Sequence, residues 1–127
     1  MSDSLSDSLS EAWDFQAEAA AEQDDLCRLP GRSWVPPILS DLILAARHTS
    51  LSRYYPFTSH ATLRFGTGPR WWLGDGEVLT VAIALVPEGR YLVHTRTSHD
   101  GLPLAELETA SAGEAAAKAE QLVNAVG

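Results

Sequence analysis

Histidine and arginine alternate with other residues in two stretches of this chain, and that spacing is its clearest chemical signal. His60, Thr62 and Arg64 take every second place in His60-Ala61-Thr62-Leu63-Arg64-Phe65, and Arg90, Leu92, His94 and Arg96 do so further on. Alternate side chains of a strand share a face. Between the two stretches runs Glu77 to Val86, which sends Thr80, Ala82 and Ala84 to the matching side. Laid side by side, the three strands predict a shallow trough with small residues along its floor and His and Arg along both edges. A guanidinium fork pairs bidentately with carboxylate or phosphate oxygens. An imidazole titrates near neutral pH and can move a proton. His60 and His94 are therefore the candidate acid/base residues, and Arg64, Arg96 and Thr80 the candidate ligand contacts.

The same residues also describe a bland alternative. An antiparallel sheet commonly turns one polar face to water, so a solvated face or a protein interface fits the pattern too. A slip of one residue in register would scatter the set. Aromatic residues flank the first stretch: Tyr54, Tyr55 and Phe57 before it, Trp71 and Trp72 after it. Adjacent aromatics in a strand point to opposite faces, and large amphipathic rings favour pocket rims and interfaces. Tyr55, Trp71 and Trp72 are thus further candidate ligand contacts, with core packing and sheet-edge cover as the ordinary role of such rings. His60 also opens its strand, where it and Ser59 can cap free backbone groups.

Other chemistries find no support. The histidines at 48, 60, 94 and 99 lack the short spacing of a zinc site, and Cys27 has no cysteine partner, so no metal is expected. Gly66-Thr67-Gly68-Pro69 has the glycines of a phosphate loop, but no Lys-Ser/Thr follows. No serine sits in a nucleophile elbow. No cofactor is expected. A cofactor-free cyclase or isomerase, working by shape and one or two polar groups, remains compatible.

Charge is distributed unevenly. Residues 1–25 hold eight acids and no base, while 26–127 hold nine of each, so the formal net charge of −8 belongs to an acidic N-terminal arm. A neutral body offers no basic footprint for nucleic acid. The arm serves solubility or docks onto a basic partner. The apolar run from Val78 to Val86 is broken by Thr80 and is too short to cross a bilayer. No basic-then-apolar leader opens the chain. A single cysteine cannot form an internal disulfide, and its neighbours Asp24 and Asp25 disfavour a thiolate. A cytoplasmic protein without membrane contact is expected.

Residues 1–9 repeat Ser-Asp-Ser-Leu and are expected to form a flexible acidic N-terminus, with a single α+β domain over 10–127. Ser8 and Glu11 have capping-box spacing, and Trp13, Ala17, Ala20 and Asp24 trace a thin stripe on the helix that follows. Pro30-Gly31 breaks the chain. Pro37 suits the first turn of a second helix, whose Ile38, Leu39, Leu42, Ile43, Ala45 and Ala46 form a wide apolar face. Strands are expected at 60–65, 77–86, 90–96 and 104–108, with turns at Gly74-Asp75-Gly76, Pro87-Glu88-Gly89 and His99-Asp100-Gly101. Ser111 and Glu114 repeat the capping-box spacing before a helix striped by Ala115, Ala119, Leu122, Val123 and Val126. Helices and strands are segregated. The expected fold is α+β, an antiparallel sheet of three to five strands with N-terminal helices and a C-terminal helix on one face.

Leu51, Tyr54 or Tyr55, Pro56, Phe57, Ser59, His60, Leu63 and Phe65 follow the pattern Leu-x-x-aromatic-Pro-Phe-x-Ser-His-x-x-Leu-x-Phe. That stretch, together with Ala-Glu-Leu-Glu-Thr-Ala-Ser-Ala-Gly-Glu-Ala at 105–115, resembles an uncharacterised actinobacterial family of natural product biosynthesis proteins. The resemblance covers roughly residues 45–125. It implies an accessory protein encoded beside biosynthetic enzymes and carries no catalytic residue over. Expected partners are a small-molecule or peptide intermediate, or a partner biosynthetic protein; a homodimer is also expected.

Overall fold

Apolar stripes on three helices meet one face of a five-stranded antiparallel sheet. The structure is a computed structural model and describes residues 3–29, 38–59, 61–68, 77–86, 88–96 and 103–126. The expected breaks and turns at Pro30-Gly31, Gly74-Asp75-Gly76 and His99-Asp100-Gly101 lie outside the described residues, as do Pro37, Trp71 and Trp72.

Helix α1 spans Asp3–Cys27. It begins five residues before Ser8, so the Ser8-Glu11 pair does not start it, and the repeat expected to fray is helical from Asp3. Leu5 and Leu9 stand four apart in that repeat, which is itself a helical spacing. Trp13, Ala20 and Asp24 are buried on its inner side. Trp13 is the anchor, because the alanines of the stripe bury little area. Its ring tilts against Phe65 with centroids 6.4 Å apart.

Helix α2 spans Leu39–Arg47 and buries Leu39, Leu42, Ile43 and Ala46. Ile38 precedes it and has no side chain able to cap it. Asp24 of α1 does so instead. Its Oδ1 accepts the Leu39 N–H at 3.1 Å and its Oδ2 accepts the Ser40 N–H at 3.0 Å. A carboxylate there satisfies two orphan donors and meets the positive end of the helix dipole. The Tyr91 hydroxyl donates to the Ile38 carbonyl at 2.7 Å. Burial, then the charges of Asp41 and Asp24, push the Tyr91 phenol up to about 12.

A 3₁₀ turn, Ser50–Arg53, follows and buries Leu51. The strands are β1 Tyr55–Ser59, β2 Thr62–Gly66, β3 Ala82–Val86, β4 Arg90–Arg96 and β5 Pro103–Thr109, ordered β1-β2-β3-β4-β5 in an antiparallel meander. β1 precedes the first expected strand. It contains Pro56, which lowers any expectation of a strand but is tolerated at a sheet edge, where β1 lies. Ser59 pairs with Thr62, so Ala61 lies in a tight turn between the two strands. Such turns usually take Gly or Asn, because they need positive φ. Ala61 supplies it at φ 59°. The strain there is about 1 kcal/mol, and Ala61→Gly would relieve it while adding a comparable unfolded-state entropy. Ala61→Gly is therefore expected to leave stability within about 0.5 kcal/mol. Ala61→Val, β-branched at positive φ, is expected to cost about 1–2 kcal/mol, read as a lower urea midpoint at constant slope.

Leu63, Phe65, Val81, Ile83, Leu85, Tyr91 and Val93 point inward, as their alternation predicts. Helix α3, Ala112–Val126, lays Ala115, Ala116, Ala119 and Val123 against them. Half of its expected capping box forms. Ser111 Oγ accepts the Glu114 N–H at 3.2 Å, but the Glu114 carboxylate takes the Thr109 hydroxyl at 3.2 Å. Thr109 Oγ1 in turn accepts the Ser111 N–H at 3.1 Å. Across the helical layer, Glu120 accepts the Ser50 N–H at 2.6 Å, which holds its carboxyl below the usual range.

Candidate functional site

The sheet face turned away from the helices carries the residues singled out by alternation. Register places them. Thr62 pairs with Ala84 and Leu63 with Ile83, and Arg64 is the next residue along β2. Ala82 pairs with His94, and Ala84 with Leu92. On the other flank Phe57 pairs with Arg64. Phe57 and Arg64 on one flank, and Ala82 and His94 on the other, thus share the outward face, and Arg64 lies near enough to His94 for its charge to act on the imidazole.

Both of these polar residues are unusual. Arg28, Arg47 and Arg90 each lie 2.8 Å from a carboxylate, of Asp25, Asp14 and Glu108 respectively. Arg53 donates to the Ser50 carbonyl at 3.4 Å. Among the described residues Arg64, half-buried, forms no ion pair. His94 is only 9% exposed, and its Nδ1 is buried without a hydrogen-bond partner among the described residues. Burial first, and the nearby Arg64 charge second, hold the imidazole below its ordinary pKa. His94 is thus driven toward its neutral form at neutral pH. An unpartnered buried polar atom carries a desolvation cost that a bound group could recover.

A bulge lies at this position. Val93 pairs with Leu107, but His94 pairs with Ala105, which leaves Glu106 as the extra residue on β5. Bulges re-aim side chains and recur beside functional sites. The Thr95 hydroxyl donates to the Glu106 carboxylate at 3.4 Å. Sequence reasoning missed the bulge, which leaves no mark in a short alternating run.

The structure redistributes other candidates. Thr80 leaves the trough. Gly66 bridges to Val78, two residues out of step with the Thr62–Ala84 ladder, and the surplus is taken up in a bend at Thr80. Thr80 instead lines a separate concavity of about 230 Å³ with Tyr54, Leu79, Val81 and Val123. Tyr55 is 6% exposed and buried in β1, not at a rim. Arg90 is on the outward face but is paired with Glu108. His60, Trp71 and Trp72 lie outside the described residues, and of Arg96 only the backbone is described. A second concavity, about 370 Å³, lies between α1 and the 3₁₀ turn and is lined by Leu9, Trp13, Arg47 and Arg53.

Among the described residues no group of three His, Cys, Asp or Glu could hold a metal ion. Nor is any described helix long and apolar enough to cross a membrane. No family model, curated protein or solved structure matches the chain.

Proposed function

We propose that this chain is a small binding protein whose outward sheet face holds an anionic group, a carboxylate or phosphate of a small molecule or peptide, between Arg64 and His94. One observation carries the reading. A guanidinium without an ion pair and a buried imidazole nitrogen without a partner, each so among the described residues, share the outward face of β2 and β4, close enough for the guanidinium charge to act on the imidazole. The guanidinium supplies charge and a donor fork, and the neutral imidazole supplies a directional hydrogen bond. Resemblance of residues 51–65 to natural product biosynthesis proteins supports a role as a cytoplasmic accessory protein, with a biosynthetic intermediate as the anion and no cofactor.

A second reading is a small cofactor-free enzyme of the cyclase or isomerase type, with His94 as acid/base and Arg64 holding the substrate's anionic group. The unpartnered Nδ1 favours it. Catalysis needs enclosure that excludes water, however, and among the described residues Thr62, Ala84 and Leu92 stay partly exposed along the face. That partial exposure supports binding over turnover.

Titrating inorganic phosphate and benzoate into the protein, with the His94 ring followed by NMR, tests the proposal. Arg64 lowers the His94 pKa, so an anion seated on the guanidinium should raise it. Arg64→Ala should raise it too, short of the ordinary value because burial is the larger cause, and should abolish the response to anions. If Arg64→Ala shifts His94 while neither anion does, the face is a solvated one and the proposal fails.

A further inference from the structure

The face of α1 turned away from the core carries a second pattern, separate from the sheet site and not resting on it. Phe15 is 67% exposed and Leu26 61% exposed. They stand eleven residues apart, three helical turns and roughly 16 Å along the axis, on one line. Glu11, Phe15, Glu18, Glu22 and Leu26 follow one another at steps of four, three, four and four, the spacing of a helix-on-helix seam. This seam lies opposite Trp13, Ala20 and Asp24, which face the core. Large exposed apolar residues rimmed by charge mark interaction surfaces.

The charges on this seam say what would cover it. Asp14 is held by Arg47, Asp25 by Arg28, and Asp24 caps α2. Among the described residues Glu11, Glu18 and Glu22 have no ion pair. Asp3–Cys27 holds eight acids and no base. A second copy would set two such acidic helices against each other, and nucleic acid or anionic lipid would be repelled in the same way. The complement is a helix that offers apolar residues to Phe15 and Leu26 and lysine or arginine to the glutamates between and beside them.

We infer that the outward face of α1 docks a basic amphipathic helix of a partner protein. The helices cover the opposite side of the sheet from Arg64 and His94, so a ligand and a partner can be held at once.

A synthetic peptide of about three heptads, with leucine at a and d and lysine at e and g, serves as probe. Its counterpart carries glutamate at e and g. Fluorescence anisotropy with the full chain at physiological salt is expected to show binding of the lysine peptide only. Phe15→Ser with Leu26→Ser should weaken it by about tenfold or more. Glu18→Gln with Glu22→Gln should do the same, while Glu77→Gln with Glu88→Gln should leave it unchanged. All three double variants replace exposed residues, and an unchanged melting temperature verifies that each is folded. Three results overturn the inference. The glutamate peptide binds equally well; the Phe15→Ser/Leu26→Ser variant keeps full affinity, which reduces the effect to unspecific attraction; or that variant abolishes a concentration-dependent self-association, which makes a second copy the occupant.

Discussion

Trp13→Ala is expected to lower the unfolding free energy by about 3–5 kcal/mol, the usual cost of truncating a large buried ring. The position leaves little room for compensation. Trp13 is 1% exposed, and its companions on the stripe are alanines and Asp24. Its Nε1–H also donates to the Tyr54 carbonyl at 3.0 Å, which ties α1 to the chain just before β1. Domains of this size hold roughly 5–15 kcal/mol in total, so the variant should unfold at much lower urea and shed α1 helicity first. Trp13→Phe keeps most of the apolar area and loses the hydrogen bond, for about 1–2 kcal/mol. Far-UV circular dichroism in urea measures both. A loss below about 1 kcal/mol for Trp13→Ala would mean that α1 does not depend on this ring.

Asp24→Ala is expected to cost about 2–3 kcal/mol, because it strands two backbone donors at the start of α2 and removes a charge from the helix's positive end. Asp24→Asn retains one acceptor and turns an amide toward the other N–H, so it should cost about half as much. The substitution also has a spectroscopic signature. Asp24 is one of the charges that raise the Tyr91 phenol, so Asp24→Asn should bring that phenol down from about 12. The two effects need not coincide. A stability loss with an unmoved Tyr91 titration would show that Asp24 supports the helix but does not act on the phenol.

Alternation made the two sheet faces legible. Leu63, Phe65, Ile83, Leu85, Tyr91 and Val93 on one side, and Thr62, Arg64, Ala82, Ala84, Arg90, Leu92 and His94 on the other, stand where a period of two puts them. The reason is that the core face is apolar on three neighbouring strands, which pins their register. The failures have local causes. β1 is masked by Pro56 and by a turn without Gly or Asn. Thr80 falls out of line because two surplus residues on the β3 side must bend away from the ladder. The early start of α1 was hidden by a polar repeat whose leucines are helically spaced. Asp24 was visible as a carboxylate on an otherwise apolar stripe, but its purpose depends on α2 lying fifteen residues further on. Nothing local in a sequence reports a cap supplied by another helix.

The meander has a consequence for how the chain is made. Every strand pairs with the one synthesised just before it, so the sheet can assemble in order as the polypeptide leaves the ribosome. Its cover arrives in two instalments. α1 and α2 are present from the outset, but α3, the last fifteen-residue helix, packs against β4 and β5 only after both are complete. Until then Val93 and Leu107 lack the alanine face of α3, and a nascent chain stopped before Ala112 would expose a sticky strip along its newest strands. Ala115, Ala119 and Val123 are therefore the residues whose arrival closes that strip.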